Sequence, residues 1–426
     1  MRLRYNYRLY PDDSQCQALA RLFGCVRVVW NDALAMRKAA RKAGLPWIGG
    51  GDLQKICITA AKRTLEREWL SEVSPVPLQQ SLRDLDRAYQ NFFDSVSGKR
   101  KGRRMGLPVF KSRRDRRQSA RFTRNAFSLG GDGTLYLAKI GGIEVRWSRE
   151  LPAAPSSVTV IQDAAGRYFA SFVIEVEDAG QVLPEVDGEV GIDLGLTHYA
   201  VLSDGTKIAN PRWLRRRAKR LARLQRTLSR KQKGSKNREK ARIAVARQHA
   251  KVGDARRDFL HQTSTSIIRE NQTVVIEDLA VRGLTRGRLA KSVSDASWAA
   301  FRTLLGGKAA RFGRMVITVG RWFPSSQLCP CCGWQNGKVP LEVREWDCPS
   351  CGEHHDRDLA AALNVLAEGI RLRAQAAEAS LDEGGQDKEM VAAGLADTEN
   401  DCGGRVRPGE AIPTLAPPAT YDAHAA

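Results

Sequence analysis

Two Cys-x-x-Cys-Gly knuckles constrain this chain more than anything else in it. The first is Cys329-Pro-Cys-Cys332-Gly and the second Cys348-Pro-Ser-Cys351-Gly, with fifteen residues between Cys332 and Cys348. Paired thiolates at this spacing are the ligand set of a tetrahedral zinc ion. The glycine after each pair lets the backbone turn tightly enough for both thiolates to reach one ion. Buried free thiols have no reason to fall into two such pairs. Cys331 is an additional thiol inside the first knuckle. Cys332 is the expected ligand because it leaves two intervening residues and precedes Gly333. His354 and His355 could substitute, but Cys329, Cys332, Cys348 and Cys351 already close the site, so the zinc is expected to be structural. The ribbon leads into an acidic pair that opens an apolar helix, Asp356-Arg-Asp358-Leu-Ala-Ala-Ala-Leu-Asn364-Val-Leu366.

Charge sets the partner. The chain has 69 Lys and Arg against 47 Asp and Glu, a net charge of +22. Such a surplus calls for a polyanion, nucleic acid or an acidic membrane surface. No run of eighteen apolar residues exists, so a membrane span is not expected. Met1-Arg-Leu-Arg-Tyr lacks an apolar signal core. Nine cysteines, four of them in a metal pattern, fit a reducing cytoplasm better than a disulfide framework. With 42% hydrophobic residues over 426, two or three domains with real cores are expected. No small-molecule substrate is expected, and the sequence does not set the oligomeric state.

In chain order, Leu3, Tyr5, Tyr7 and Leu9 alternate, which predicts an opening strand. Pro11-Asp12-Asp13-Ser14 supplies a turn and a helix cap. Helical spacing follows to about residue 43 (Leu19, Leu22, Phe23, Val26, Val29, Trp30, Leu34) and again over roughly 53–70 and 77–96. Residues 97–117 are a dense basic loop containing Lys101, Arg103, Arg104, Phe110 and Lys111. Unpartnered like charge repels itself, so this loop is expected to contact phosphate rather than water alone. Residues 119–177 read as strands with a hairpin at Ala164-Ala165-Gly166, and 178–187 as a linker. Together with the opening strand they predict a β-barrel interrupted by the helical stretch.

The pattern changes at residue 188. Gly188 to Leu196 is an apolar strand carrying Asp193, and Tyr199 to Leu202 follows it. Residues 212–257 then form a basic helical hairpin. Leu214, Leu221, Leu224 and Leu228 mark its seam, and Gly234-Ser235 breaks it. Arg216, Lys219, Arg223, Lys231 and Lys236 are its candidate nucleic-acid contacts. Glu239 is the one acid in 212–253, too few for helix-surface ion pairing. Thr273 to Glu277 and Met315 to Val319 are further strands, with a helix at 296–312. The helix after Asp358 is expected to reach about Ala374. Residues 375–426, rich in Ala, Gly, Pro, Glu and Asp, are expected to be disordered, and Cys402 there takes no role.

Three acids share one context: Asp193 on a strand, Glu277 at a strand end, Asp358 at a helix start. An acid in an apolar strand is costly unless it is paired or on a metal. Three of them on elements that can converge suit a two-Mg²⁺ phosphodiesterase site, although spacing alone does not show that they converge. Asp278 and Asp356 are the neighbouring alternatives, and a strand would turn Asp278 to the face opposite Glu277. Asp204 sits in a turn signal and is expected to be turn chemistry.

Taken together, Gly191-Ile-Asp193-Leu-Gly195, Ile276-Glu277-Asp278-Leu279, Ser325-Ser326 before the first knuckle, and Asp356-Arg357-Asp358 after the second resemble the TnpB (OrfB) proteins of insertion sequences, compact relatives of type V CRISPR effectors. Tyr7 to Pro11, Val29-Trp30-Asn31, Pro108 to Ser112, Ser235 to Arg238 and Asp258 to His261 look like the same family. The resemblance covers about residues 1–370 in family order. It implies an α/β and β multidomain protein. A wedge β-barrel (1–180) would carry a helical recognition insert (about 12–96). An RNase H-like, RuvC-type nuclease domain (181–372) would hold the basic hairpin and the zinc ribbon (about 323–355), and a tail would occupy 373–426. It further implies an RNA-guided DNA endonuclease whose guide RNA comes from the transposon end. Asp193, Glu277 and Asp358 are its magnesium-binding catalytic acids, and guide RNA and double-stranded target DNA are its partners. A non-cutting RNA-guided regulator, a CRISPR effector and a transposase accessory protein are the alternatives. The chain departs from the family pattern in having Ala360 where the family usually has Asn, and Ala280 where Asn is common.

Overall fold

Strand β1 (Arg2–Tyr10) buries Tyr5, Tyr7 and Leu9 on one face, as its alternation predicts. In the computed structural model, which describes residues 2–176, 182–337, 340 and 342–382, β1 is the middle strand of a seven-stranded antiparallel sheet. Its other strands are β2 (Gln118–Thr123), β3 (Phe127–Leu129), β4 (Thr134–Leu137), β5 (Gly141–Arg146), β6 (Ser157–Gln162) and β7 (Tyr168–Glu175), in the order β2-β6-β7-β1-β5-β4-β3. The hairpin turn at Ala164 to Gly166 joins β6 to β7, as expected. The expected β-barrel takes the form of a half-barrel. β2 and β3 are the two edges of this sheet, yet only the 3-10 turn Arg124–Ala126 separates them in the chain. So short a link forces the sheet to curl until its edges are close, but no ladder joins them, and the result is a half-barrel.

The helical insert leaves this sheet after β1. Asp12 caps α1 (Asp13–Lys42) through a capping box with Gln15. Helix α1 packs on α3 (Pro75–Val96), and Leu19, Leu22, Val26, Leu78, Leu82 and Leu85 join one continuous core with the sheet. The helix expected over 53–70 is broken into α2 (Gly50–Gln54), a π-helical turn (Lys55–Ala60) and 3-10 pieces to Glu72. The basic stretch 97–117 has no regular element.

A second sheet has the order β10-β9-β8-β11-β12. Its strands are β8 (Glu189–Asp193), β9 (His198–Leu202), β10 (Lys207–Ala209), β11 (Thr273–Glu277) and β12 (Met315–Val319). β8 runs parallel to β11 and β11 parallel to β12, while β9 is antiparallel to both β8 and β10. β8, β9 and β11 are buried along most of their length, which is why they read as near-continuous apolar runs, while β10 and β12 are more exposed. Val274 and Ile276 of β11 enter a core with helices α5 (Lys236–Glu270) and α8 (Trp298–Phe312). Val275, one residue out of phase, packs instead with Val319 and Val365 of α9 (Arg357–Asp382).

Helix α4 (Trp213–Ser229) pairs with α5, with Leu221 buried in the seam and Leu214, Leu224 and Leu228 half-buried. The second helix runs to Glu270, beyond the expected 257, because its last turns continue as core (Leu260, Ile267, Ile268). Short helices α6 (Val281–Leu284) and α7 (Ala290–Ala296) precede α8. Strands β13 (Glu345–Asp347) and β14 (His354–Asp356) pair inside the cysteine-rich segment. Helix α9 passes the expected end at Ala374 and continues to Asp382. The remainder of the predicted tail, with Cys402, lies outside the described residues.

Candidate active site and metal centre

The acids come together because two parallel strands end side by side. β8 and β11 pair in register Ile192 to Ile276, so the next residues, Asp193 and Glu277, stand at adjacent strand ends. Helix α9 brings the third. It lies so close on β8 that a Cβ on Gly191 would stand 2.2 Å from the Ala362 carbonyl oxygen. A Cβ on Gly369 would likewise stand 2.4 Å from a Val275 methyl. Glycine on each side, with buried Ala360, Ala361 and Ala362 between, lets the helix backbone touch the sheet and start beside Asp193. Ala360, the departure from the family pattern, is buried.

The electrostatics register the convergence. Burial, then the Glu277 and Asp358 charges, push the Asp193 carboxyl up to about 8, against a smaller downward pull from Arg357 and Arg344. Burial also raises Glu277, offset in part by a hydrogen bond. That bond is donated by the Ser325 hydroxyl to Glu277 Oε1 at 2.5 Å. Ser325 is itself held by α9, where the buried Asn364 side chain donates 2.8 Å bonds to the Ser325 and Leu328 carbonyls. The neighbouring acids are otherwise engaged. Asp356 Oδ1 accepts from the backbone N–H groups of Asp358 and Leu359, capping α9, and its other oxygen pairs with Lys207 at 2.6 Å. Asp278 faces away from Glu277, toward Arg302 and Arg321. Asp204 binds the Thr206 N–H in its turn, as expected. Arg344 donates to Asp358 Oδ1 at 3.3 Å from the cysteine-rich segment.

Sequence reasoning had not assigned roles to Arg344, Ser325 or Asn364. Arg344 sits in a loop with no pattern. Asn364 did carry a signal, being a polar residue on the apolar face of a helix. Ser325 was visible only as part of the family resemblance.

The four expected thiols form a cluster whose sulfurs lie within 4.8 Å of one another, a set that can hold a metal such as zinc. Cys329 and Cys351 Sγ are 3.7 Å apart, and Cys332 and Cys348 Sγ 3.6 Å. A tetrahedron with metal–sulfur bonds of about 2.3 Å has edges of roughly 3.8 Å. Backbone bonds from Gly333 to Cys329 and from Gly352 to Cys348 close the two knuckles, and both glycines have positive φ. His355 Nε2 lies 3.1 Å from Cys329 Sγ and, with Cys331, makes a second possible set. His354 turns away to Asp347.

Of the proposed nucleic-acid contacts, Lys101, Arg103, Arg104, Arg216, Lys219, Arg223, Lys231 and Lys236 are exposed. Lys111 is not free in the same way. Its ammonium lies 4.0 Å over the Trp30 ring, and its backbone exchanges two hydrogen bonds with Asn31. It pins the basic loop to α1 instead of presenting charge.

Fold and site define a basic protein with a four-cysteine cluster that can hold a metal and, separately, acids at parallel strand ends. Residues 171–288 match a family model described as a probable transposase, and residues 298–365 one described as a Cas12f1-like TNB domain. Residues 1–45 match a helix-turn-helix model of the same family, although here they form a strand and one 30-residue helix. A putative RNA-guided DNA endonuclease of Streptomyces pristinaespiralis is 48% identical over 377 residues, covering 86% of this chain and 89% of the relative. The putative RNA-guided DNA endonuclease InsQ of Escherichia coli K12 is 32% identical over 381 residues, 86% and 92% of the two chains. A Cas12f1 complex with guide RNA and target DNA, solved by cryo-electron microscopy, is 14% identical with a TM-score of 0.47 over 81% of each chain, too loose a match to carry an argument. The chain belongs to the TnpB (OrfB, IS605-type) family.

Proposed function

We propose that this chain is an RNA-guided DNA endonuclease of a transposable element, with one hydrolytic site made by Asp193, Glu277 and Asp358. One observation carries the reading. Asp193 and Glu277 stand at adjacent parallel strand ends and Asp358 opens the helix packed on β8, and burial together with the Glu277 and Asp358 charges raises the Asp193 carboxyl. Carboxylates grouped this way, with Arg357 and Arg344 opposing their charge on Asp193, would suit hard divalent cations. Two Mg²⁺ ions at these acids would supply water activation and leaving-oxygen stabilisation. The chain's own residues do the positioning. Ser325 fixes one oxygen of Glu277 and leaves the other for a ligand. Asp356 anchors the start of α9 and so orients Asp358. Arg344 stands beside Asp358, where a phosphate would need a cation.

The strand order and the carboxylates at the parallel strand ends support an RNase H-like, RuvC-type domain over 181–372. The curled sheet with its helical insert supports a wedge and recognition unit over 1–180. Cys329, Cys332, Cys348 and Cys351 would hold a structural zinc in the ribbon of about 323–355. Guide RNA and target DNA would lie along the 97–117 loop and the α4–α5 hairpin, where acids are scarce. Base pairing would select the sequence and the protein would grip backbone and shape.

The test is to express the chain with its native downstream DNA, sequence any co-purified RNA, and add a matched double-stranded target with Mg²⁺ beside Asp193→Ala. Transposon-end RNA with cleavage abolished in Asp193→Ala is the expected result. RNA and DNA binding without cleavage by the unaltered chain would replace the nuclease with a guided regulator. No bound RNA would sink both.

A further inference from the structure

We propose that Trp322 is a stacking platform for a nucleobase of the single strand entering the carboxylate site. This deepens the nuclease reading and rests on it.

Arg321-Trp322-Phe323 follows β12 directly. Phe323 turns inward and packs with Val275, Val319 and Val365. Its N–H bonds to the Gly320 carbonyl at 3.1 Å, closing a tight turn whose two central residues are Arg321 and Trp322. The backbone thus throws the indole outward, and Trp322 is 90% exposed. Leaving the largest apolar ring in water is unfavourable, and this chain does so at a fixed point rather than in a loose loop.

The neighbours are charged. Arg321 bonds Asp278 Oδ2 at 2.8 Å and the Asp278 carbonyl at 3.3 Å, and Arg302 takes the other carboxylate oxygen. Two guanidiniums, each 46% exposed, share one carboxylate, leaving one net positive charge facing outward. A lone indole among half-exposed arginines is the composition of a single-strand nucleic-acid groove, where bases stack and phosphates meet cations. A protein partner would call for a wider apolar patch.

The position ties this platform to the acids. Ser325, three residues on, donates to Glu277, and three residues span at most about 11 Å. A base stacked on Trp322 therefore lies within a few nucleotides of a phosphate at Glu277.

The test uses the full chain with its co-purified RNA, in an Asp193→Asn background so that nothing is cut. The probe is a single-stranded DNA oligonucleotide carrying 2-aminopurine, whose fluorescence falls on stacking. Asp193→Asn alone should quench the probe. Adding Trp322→Ala should abolish the quench and weaken binding roughly tenfold, while Trp322→Phe restores most of both and RNA content stays the same. With Asp193 intact, Trp322→Ala should raise KM for the strand and leave kcat nearly unchanged. Unchanged quenching and KM in Trp322→Ala would overturn the proposal, as would failure of Trp322→Phe to rescue. If Trp322→Ala instead dissolved a self-associated species in sedimentation, with oligonucleotide affinity intact, the indole would be a contact between copies and the proposal would fall. Should the unaltered chain cut nothing, the nuclease reading fails, while the 2-aminopurine arm still decides the stacking.

Discussion

The thiolate cluster and the carboxylate cluster are built in opposite ways. Cys329, Cys332, Cys348 and Cys351 come from one stretch of 23 residues, two tight turns and a two-stranded ribbon. Asp193, Glu277 and Asp358 come from points 165 residues apart at the extremes, and the pairing of β8 with β11 and the packing of α9 on β8 bring them into one neighbourhood. Among the described residues, the cysteine-rich segment has a small core: Cys329, Trp346 and Cys348 buried, and Trp334 against them. The acids rest on a two-faced sheet. A local site depends on its ligand for its fold. A convergent site depends on its fold for its geometry.

The first and largest effect should fall on the ribbon. Removing its metal by chelation, or Cys348→Ser, should lose bound zinc and open residues 329–356 to protease, since ligation supplies on the order of 10 kcal/mol to sites of this size. Limited proteolysis with metal analysis checks this. A ribbon that stays protected without metal would erase the contrast between the two centres.

Next comes pH. Asp193 and Glu277 are raised in the folded chain, so without divalent cation it binds more protons than the unfolded chain there. The stability this gives is full at pH below the unfolded carboxylate range and is lost as pH rises toward about 8. Asp193→Asn should remove much of that loss, raising the Tm of the metal-free protein at pH 8 by an amount equivalent to at most about 5 kcal/mol. Mg²⁺ should narrow the gap between the two proteins. A thermal melt series from pH 5 to 8 with and without Mg²⁺ decides it. An unchanged Tm would mean that the three carboxylates are not crowded in solution.

A smaller effect should come from the helix–sheet contact. Gly191→Ala puts a methyl against the Ala362 carbonyl and should cost about 2–4 kcal/mol, with cleavage falling further than stability because Asp358 moves with α9. Ribbon zinc should be retained. Zinc lost together with activity would show that the two centres are one folding unit.

The smallest is at Ser325. Ser325→Ala leaves a buried carboxylate oxygen without its donor, at about 1–3 kcal/mol. Cleavage should weaken and need more Mg²⁺, with target binding unchanged and Ser325→Thr near normal. Asn364→Ala should give a milder copy of the same defect. Equal cleavage by Ser325→Ala would reduce the bond to packing.

These contrasts also mark what could be read from the residues. Period two placed β1, and near-continuous apolar runs placed β8 and β11, because a strand's burial follows directly from which faces are covered. The knuckles gave the four clustered thiols directly, since Cys-x-x-Cys-Gly geometry is local. The break-up of 53–70 into short turns was not visible, because helical spacing survives in a chain of π and 3-10 pieces. Lys111 looked like one more base in a basic loop, and only the proximity of Trp30 and Asn31 made it an anchor.

By itself the sequence determined the thiolate set, the basic surface, the strand-end acids and, through its motifs taken together, the family. Each of these lies within a few residues of chain or in composition, where physical chemistry acts without knowledge of distant partners. The tertiary structure decided the rest. It decided that the first sheet curls into a half-barrel and that Asp356 caps α9 while Asp358 pairs with Arg344. It also showed that Arg344, Ser325 and Asn364 serve the acids, and that Gly191 and Gly369 exist to let a helix touch a sheet. Those are contacts between residues tens to hundreds of positions apart, and no local pattern encodes which of two neighbouring carboxylates a distant strand will meet.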